Sequence, residues 1–174
     1  MTPIHISPVT EAQLPLLQEI SRKTFSETFS PVNSEENMKQ YLEEQLSAEK
    51  LAEEWRNSHT RFYFAFQGDQ AVGYLKLNTG PAQTEIRDNK SLEIERIYVL
   101  KAYHGMKVGQ VLFEKALGIA SEEQLEYIWL GVWEQNERAI RFYEKNGFRV
   151  FDRHMFKLGA EEQTDLMMKK TLNA

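Results

Sequence analysis

A chain of 174 residues with 41% hydrophobic and 27% charged side chains has the composition of a folded globular protein, and one domain over residues 1–174 is expected. A net charge of −5 argues against a broad polyanion-binding surface, and no apolar run is long enough to cross a bilayer, so neither nucleic acid nor membrane is an expected partner. The absence of cysteine excludes disulfides and thiolate metal sites, and MTPIHISPVTEAQ lacks the basic start and apolar stretch of a secretory signal, which makes the cytoplasm the expected compartment.

Ile4 to Ser7 reads as a short first strand. Thr10 and Gln13 have the spacing of a capping box, and the helix they open is expected to run to about Lys23. Ser34 caps a second helix bearing Met38, Tyr41, Leu42 and Leu46 at helical spacing, and Ser47 opens a third with Leu51 and Trp55 one turn apart. At Arg61 the period changes. RFYFAFQ and QAVGYLKLN are aromatic and β-branched runs separated by Gly68 and Asp69, which predicts a hairpin. Thr79 to Lys90 has little periodicity and reads as a surface loop. SLEIERIYVL is apolar on both alternating faces, as a sheet interior requires, and YIWLGVW is a second such strand after a helix from Val108 to about Ser121. Strand, crossover helix and strand predict a right-handed βαβ unit. A helix from Glu137 to Asn146 stops at Gly147, and Phe148 to Lys157 with Thr164 to Lys170 completes a hairpin. The sum is a mixed α+β sheet.

Three stretches carry candidate chemistry. The HGMKVG loop feeds the helix at Val108, where free backbone N–H groups and the positive end of the helix dipole suit a pyrophosphate; Gly105 and Gly109 permit close approach and Lys107 adds charge. Asn136 stands at a helix cap and Tyr143 lies seven residues on, about 10 Å along the same face, with Ala139 between them. Glu93 and Glu95 alternate with Leu92, Ile94 and Arg96, so both carboxylates should share one face of a buried strand, where each needs a partner or a role. The bland counterparts are a plain helix start, a core tyrosine and structurally paired carboxylates.

Together these stretches resemble the GNAT superfamily of acyl-CoA-dependent N-acetyltransferases over roughly the C-terminal two thirds of the chain. The later motif is complete as Asn136, Ala139, Tyr143, Gly147 and Phe148. The loop departs from the family pattern, with His104 where Arg or Gln is usual and Lys107 where Gly is usual. LEIERIYV, WLGVWEQN, EEQTDLMMKK, SRKTFSETF and NSEENMKQYL resemble the narrower PaiA-type spermidine/spermine acetyltransferases.

The resemblance implies an α/β/α sandwich whose sheet of about seven strands is splayed between the fourth and fifth, with four to five helices. It implies acetyl-CoA as cosubstrate, with no metal, held by Ile97, Tyr98, Val99, His104, Gly105, Met106, Lys107, Val108, Gly109, Asn136, Ala139 and Tyr143. It further implies that Tyr143 is the general acid for the departing thiolate. Glu95 is the candidate to accept or relay the amine proton, and the Val99 N–H the candidate to polarise the thioester carbonyl. With no cysteine and no Ser-His-Asp arrangement, direct attack by a bound amine is expected.

Between Glu35 and Glu54, seven Glu face only Lys39 and Lys50, an acidic stretch that would draw a polycation or merely form a solvated helix face. Glu27, Glu35 and Glu36 are candidate amine contacts. A primary amine, spermidine or spermine by the resemblance, is the expected acceptor. The alternatives are a protein N-terminus, a lysine or another small amine, and a non-catalytic acyl-CoA-binding regulatory module. A homodimer is compatible with this architecture. His5, His59, His104 and His154 are too scattered to predict a metal centre.

Overall fold

In the computed structural model, which describes residues 3–158 and 161–172, β1 (Ile4–Pro8) leads through a short 3-10 turn into α1 (Leu14–Phe29). The Thr10 N–H donates to Gln13 Oε1 at 3.0 Å at this start. The helix continues past Lys23 because its apolar stripe does: Phe25 and Phe29 are buried, and Pro31 follows where the helix gives way. Ser34 Oγ accepts the Asn37 N–H at 3.1 Å to open α2 (Glu35–Gln45), and Ser47 Oγ accepts the Lys50 N–H at 3.1 Å to open α3 (Ala48–Arg56).

The hairpin at Gly68 and Asp69 joins β2 (Thr60–Gln67) to β3 (Gln70–Thr79). Then come β4 (Ser91–Val99), α4 (Val108–Glu122), β5 (Tyr127–Trp133), α5 (Glu137–Lys145), β6 (Arg149–Leu158) and β7 (Glu161–Thr171). One sheet carries all seven strands in the order β1-β2-β3-β4-β5-β7-β6, and only β4 and β5 pair in parallel. One core lies between the sheet and α4 with α5, around Leu75, Leu92, Leu112 and Phe148. The other lies under α1, α2 and α3, around Leu17, Leu51, Phe64 and Tyr74. The expected α/β/α sandwich is observed. No helix among the described residues is long and apolar enough to cross a membrane.

Two irregularities make the site. The β4–β5 ladder ends at Glu93↔Trp129, so the remainders of both strands diverge and leave a gap in the middle of the sheet. Against β3, the register runs from Leu77↔Ile94 to Lys76↔Arg96, which makes Glu95 the extra residue of a bulge. The bulge corrects the simple alternation expected of this strand. Arg96 comes to the same face as Glu93, because their partners Lys76 and Asn78 are two residues apart on β3.

The stretch from Thr79 to Lys90 is indeed without a strand, but it is not wholly a surface loop. Gln83 is buried, accepting from Ser91 Oγ and from Trp129 Nε1, both at 2.7 Å, and it pins the loop to β4 and β5 just where their pairing ends.

Candidate active site

A cleft of about 1170 Å³ follows the gap between β4 and β5 and reaches both faces of the sheet. Ile97, Tyr98, Val99, His104, Gly105, Lys107, Val108, Gly109, Asn136, Ala139, Tyr143 and Glu95 all line it. Met106, expected with them, is not in the lining; it sits at the tip of the turn, 46% exposed.

Hydrogen-bond parity decides which way the β4 backbone faces. The Leu100 N–H donates to the Val72 carbonyl at 2.9 Å, so the alternate amides of Ile97 and Val99 point away from β3, into the gap. The Val99 carbonyl on that edge meets His104 Nε2 at 2.9 Å. In the neutral ring this fixes the proton on Nε2. Partial burial lowers the His104 pKa, which keeps the imidazole neutral.

Beyond His104 the chain makes two left-handed turns, at Gly105 with φ 83° and at Lys107 with φ 66°, and Lys107 is the residue before α4. The Val108, Gly109 and Gln110 amides open the helix without carbonyls one turn earlier to receive them. They form an anion-binding end, with Lys101, Lys107, Arg138, Arg141 and Lys145 also lining this side of the cleft.

Asn136 caps α5: its Oδ1 accepts the Ala139 N–H at 3.2 Å. That engages one of the two groups expected to face a ligand and leaves Nδ2 for the cleft. Tyr143, two turns on, is 7% exposed, packed on Phe142 and Phe148, and its hydroxyl has no partner among the described residues. Burial pushes its phenol well above the ordinary range, so the group keeps its proton at any working pH.

On the opposite face lie the carboxylates. Glu93 is fully engaged, accepting from the Thr84 hydroxyl at 2.6 Å, the Thr84 N–H at 2.9 Å and Asn78 Nδ2 at 3.0 Å. Burial still raises its pKa against those bonds. Glu95 meets Lys76 Nζ at 2.7 Å, Asn78 Nδ2 at 2.8 Å and Arg96 at 3.4 Å, and Glu54 reaches the same Lys76 at 3.1 Å. Although burial acts to raise it, the adjoining Arg96 and Lys76 charges prevail and hold Glu95 to about 2. A carboxyl held there is a weak proton acceptor, so this environment favours a fixed negative charge over the expected base.

Of the candidate amine contacts, Glu27 lines the cleft while its Oε1 accepts the Lys101 N–H at 2.9 Å. Glu35 and Glu36 line neither this cleft nor the smaller pocket of about 660 Å³ beside it. That pocket carries Glu44, Glu53 and Glu54 from the acidic helices and shares Tyr41, Thr84, Glu95 and Arg96 with the cleft.

Sequence reasoning missed Asp165, Gly131 and the part taken by His154, all of which line the cleft. Asp165 stands opposite Trp133 on β7, above Gly131 of β5. Its signal was present in DLMM, where an acid shares a strand face with Met167, but nothing local shows that this face meets the gap. Among the described residues there is no cluster of three metal-ligating side chains.

The amide-lined gap and cationic helix starts fit a nucleotide thioester, and the comparisons agree. Residues 17–148 match the Acetyltransferase (GNAT) family. The chain is 42% identical over 99% of its length, and 99% of the relative's, to an uncharacterized N-acetyltransferase of Lactobacillus delbrueckii subsp. lactis. It is 30% identical to a spermidine N(1)-acetyltransferase of Thermoplasma acidophilum, covering 86% of this chain and 90% of that one. The crystal structure of a PaiA N-acetyltransferase from the same archaeon, in complex with coenzyme A, superposes with a TM-score of 0.79 at 25% identity over 98% of this chain and 99% of that one. The unpaired β4 edge and the order of the strands thus have their explanation in descent: the chain belongs to the GNAT family and is an acetyl-CoA-dependent N-acetyltransferase.

Proposed function

We propose that the chain works as one domain that acetylates a primary amine of a polyamine, spermidine or spermine, by direct attack on the thioester. The observation that carries this reading is the division of the cleft by charge. Cations gather on the α4 and α5 side, whereas Glu27, Glu85, Glu93, Glu95 and Asp165 outnumber Arg96 and His154 in the part formed by α1, the loop before β4, β4 itself and the β6–β7 hairpin. A polycationic acceptor is drawn to the second part and a diphosphate to the first. The spermidine acetyltransferase named above lends support at its level of identity.

Acetyl-CoA supplies the activated acyl group. The amides of Val108 and Gly109 with Lys107 hold its phosphates, and the Ile97 amide holds its extended arm along β4. The Val99 N–H donates to the carbonyl oxygen as negative charge grows there, a contribution of about two to three powers of ten. Tyr143 hydrogen-bonds the sulfur as the C–S bond breaks. Its raised pKa makes it a donor that stabilises the thiolate more than an acid that neutralises it outright. Glu95 stays ionised and, with Glu54, balances Lys76 and Arg96 at the entrance to the acidic pocket.

Steady-state release of free thiol from acetyl-CoA with spermidine, spermine, a lysine peptide and a monoamine tests the reading. Acetylated polyamine in the mass spectrum, with kcat/KM above that of the monoamine by about tenfold or more, is the expected result. Equal turnover of the monoamine would overturn the polyamine assignment.

A further inference from the structure

Every other buried carboxylate of the cleft is tied down: Glu93 by Asn78 and Thr84, Glu95 by Lys76, Asn78 and Arg96. Asp165 is different. Half-buried in the wall of the cleft, it accepts no hydrogen bond and forms no ion pair among the described residues.

Its position follows from the sheet. The β5–β7 register sets Asp165 opposite Trp133, in the part of β5 that has left β4. Gly131, two residues earlier on the same face, is exposed to the cleft and lets the carboxylate overhang the strand. A Cβ at 131 would stand 3.5 Å from Asp165 Oδ2. Gly131 therefore leaves open the space beside Asp165, in the gap whose far wall carries the Val99 amide and which Tyr143 also lines.

On the other side, β6 places His154 opposite Asp165, and His154 Nδ1 meets Glu85 Oε1 at 2.7 Å. Both are partly exposed, at 41% and 37%. No charge on β5 or α1 is among those acting on Asp165; His154 is the one that is.

We propose that Asp165 is the base of the transfer, taking the proton that the attacking amine nitrogen sheds and releasing it to solvent through the open side of the cleft. This rests on the acetyltransferase reading above and adds a residue to it. The bonds balance: the nitrogen lone pair forms the C–N bond, the C–S bond breaks, the electron pair leaves on sulfur, and the nitrogen's proton goes to Asp165. Burial raises the Asp165 pKa to about 6 against the opposing pull of His154. The carboxylate is thus ionised at neutral pH but basic enough to receive a proton, which Glu95 is not.

The test is kcat and kcat/KM of the full chain with spermidine, from pH 5 to pH 10, for wild type, Asp165→Asn and Asp165→Glu. Binding of acetyl-CoA, followed by thermal shift, reports that each variant is folded and loaded. Asp165→Asn should bind acetyl-CoA as wild type does and lose about 10²- to 10³-fold in kcat at pH 7. Its acid limb near pH 6 should vanish, and its deficit should shrink toward pH 10, where the amine sheds its proton to water. Asp165→Glu should restore the limb with partial activity. Wild-type kcat in Asp165→Asn, or a raised KM with kcat unchanged, would overturn the base and make Asp165 at most a cation contact. A wild type that releases no thiol with any amine would instead overturn the acetyltransferase acceptor reading, and this inference with it.

Discussion

Lys76 Nζ lies 2.7 Å from Glu95 Oε1 across the β3–β4 bulge, and with the Lys76 side chain only 5% exposed the pair has little water to fall back on. The bulge is what sets it up. By inserting Glu95 between Ile94 and Arg96, it brings a carboxylate and two cations to one face of the sheet, directly under α3 and its Glu54. Replacing Glu95 by Gln leaves Lys76 and Arg96 with Glu54 alone, and the cost of such an uncompensated buried charge is about 3 kcal/mol. A fall in urea midpoint with unchanged slope is the expected measurement.

The same pair sets an acid limit on stability. The Glu95 carboxyl is held at about 2, below its ordinary 4.5, so the folded state is the weaker proton binder. The stabilisation is full above the unfolded value and is lost as pH falls from about 4.5 through about 2. In Glu95→Gln that contribution is gone throughout. Its stability should be lower than wild type at pH 7, and in denaturant titrations the two curves should draw together as pH falls from about 4.5 toward about 2.

Tyr143 offers a hydroxyl without a partner among the described residues, on a ring that is packed into the core. Tyr143→Phe keeps the packing and removes only the donor, so stability should be preserved. Catalysis should not be. Loss of one donor to the departing sulfur lowers kcat by about 10²-fold or more, with KM for acetyl-CoA little changed, because the interaction is made chiefly as the bond breaks.

Lys107 occupies a left-handed conformation, φ 66°, at the residue before α4. A side chain there costs about 1 kcal/mol relative to glycine. Lys107→Gly should therefore raise Tm by roughly 2–4 °C. The same change removes a cation from the phosphate end, so KM for acetyl-CoA should rise and depend less steeply on salt. A gain in stability together with a loss of affinity separates strain from charge.

Much of this was legible in the sequence because the signals are local. Serine caps, the Gly68-Asp69 hairpin and the Asn136 to Tyr143 spacing each involve residues within two helical turns or one turn of chain. What stayed hidden depends on long-range register. The Glu95 bulge is a relation between β3 and β4, and it changed which face Arg96 occupies. Asp165 meets the cleft only because β7 inserts between β5 and β6, a strand order that no local pattern encodes. Glu35 and Glu36, read as amine contacts from charge alone, fall on a part of α2 that turns away from the cleft.

Gly73 provides a last check on whether the β4 edge must be held where it is. It pairs with Val99, and a Cβ there would sit 2.8 Å from the Tyr98 carbonyl oxygen and 3.3 Å from Leu112 Cδ1. The first contact is with backbone, which cannot rotate away, so Gly73→Ala must displace β4 itself by some tenths of an ångström. Overpacking of this kind costs about 1–3 kcal/mol, and it moves the Val99 amide that the transfer relies on. Gly118 is the control, since it lies on the exposed side of α4 with nothing within 4 Å of an added Cβ. Gly118→Ala should stabilise by up to about 1 kcal/mol through helix propensity and leave kcat/KM untouched. Gly73→Ala should lower both Tm and kcat; a variant that loses stability but keeps full kcat would show that the precise seat of β4 does not limit the reaction.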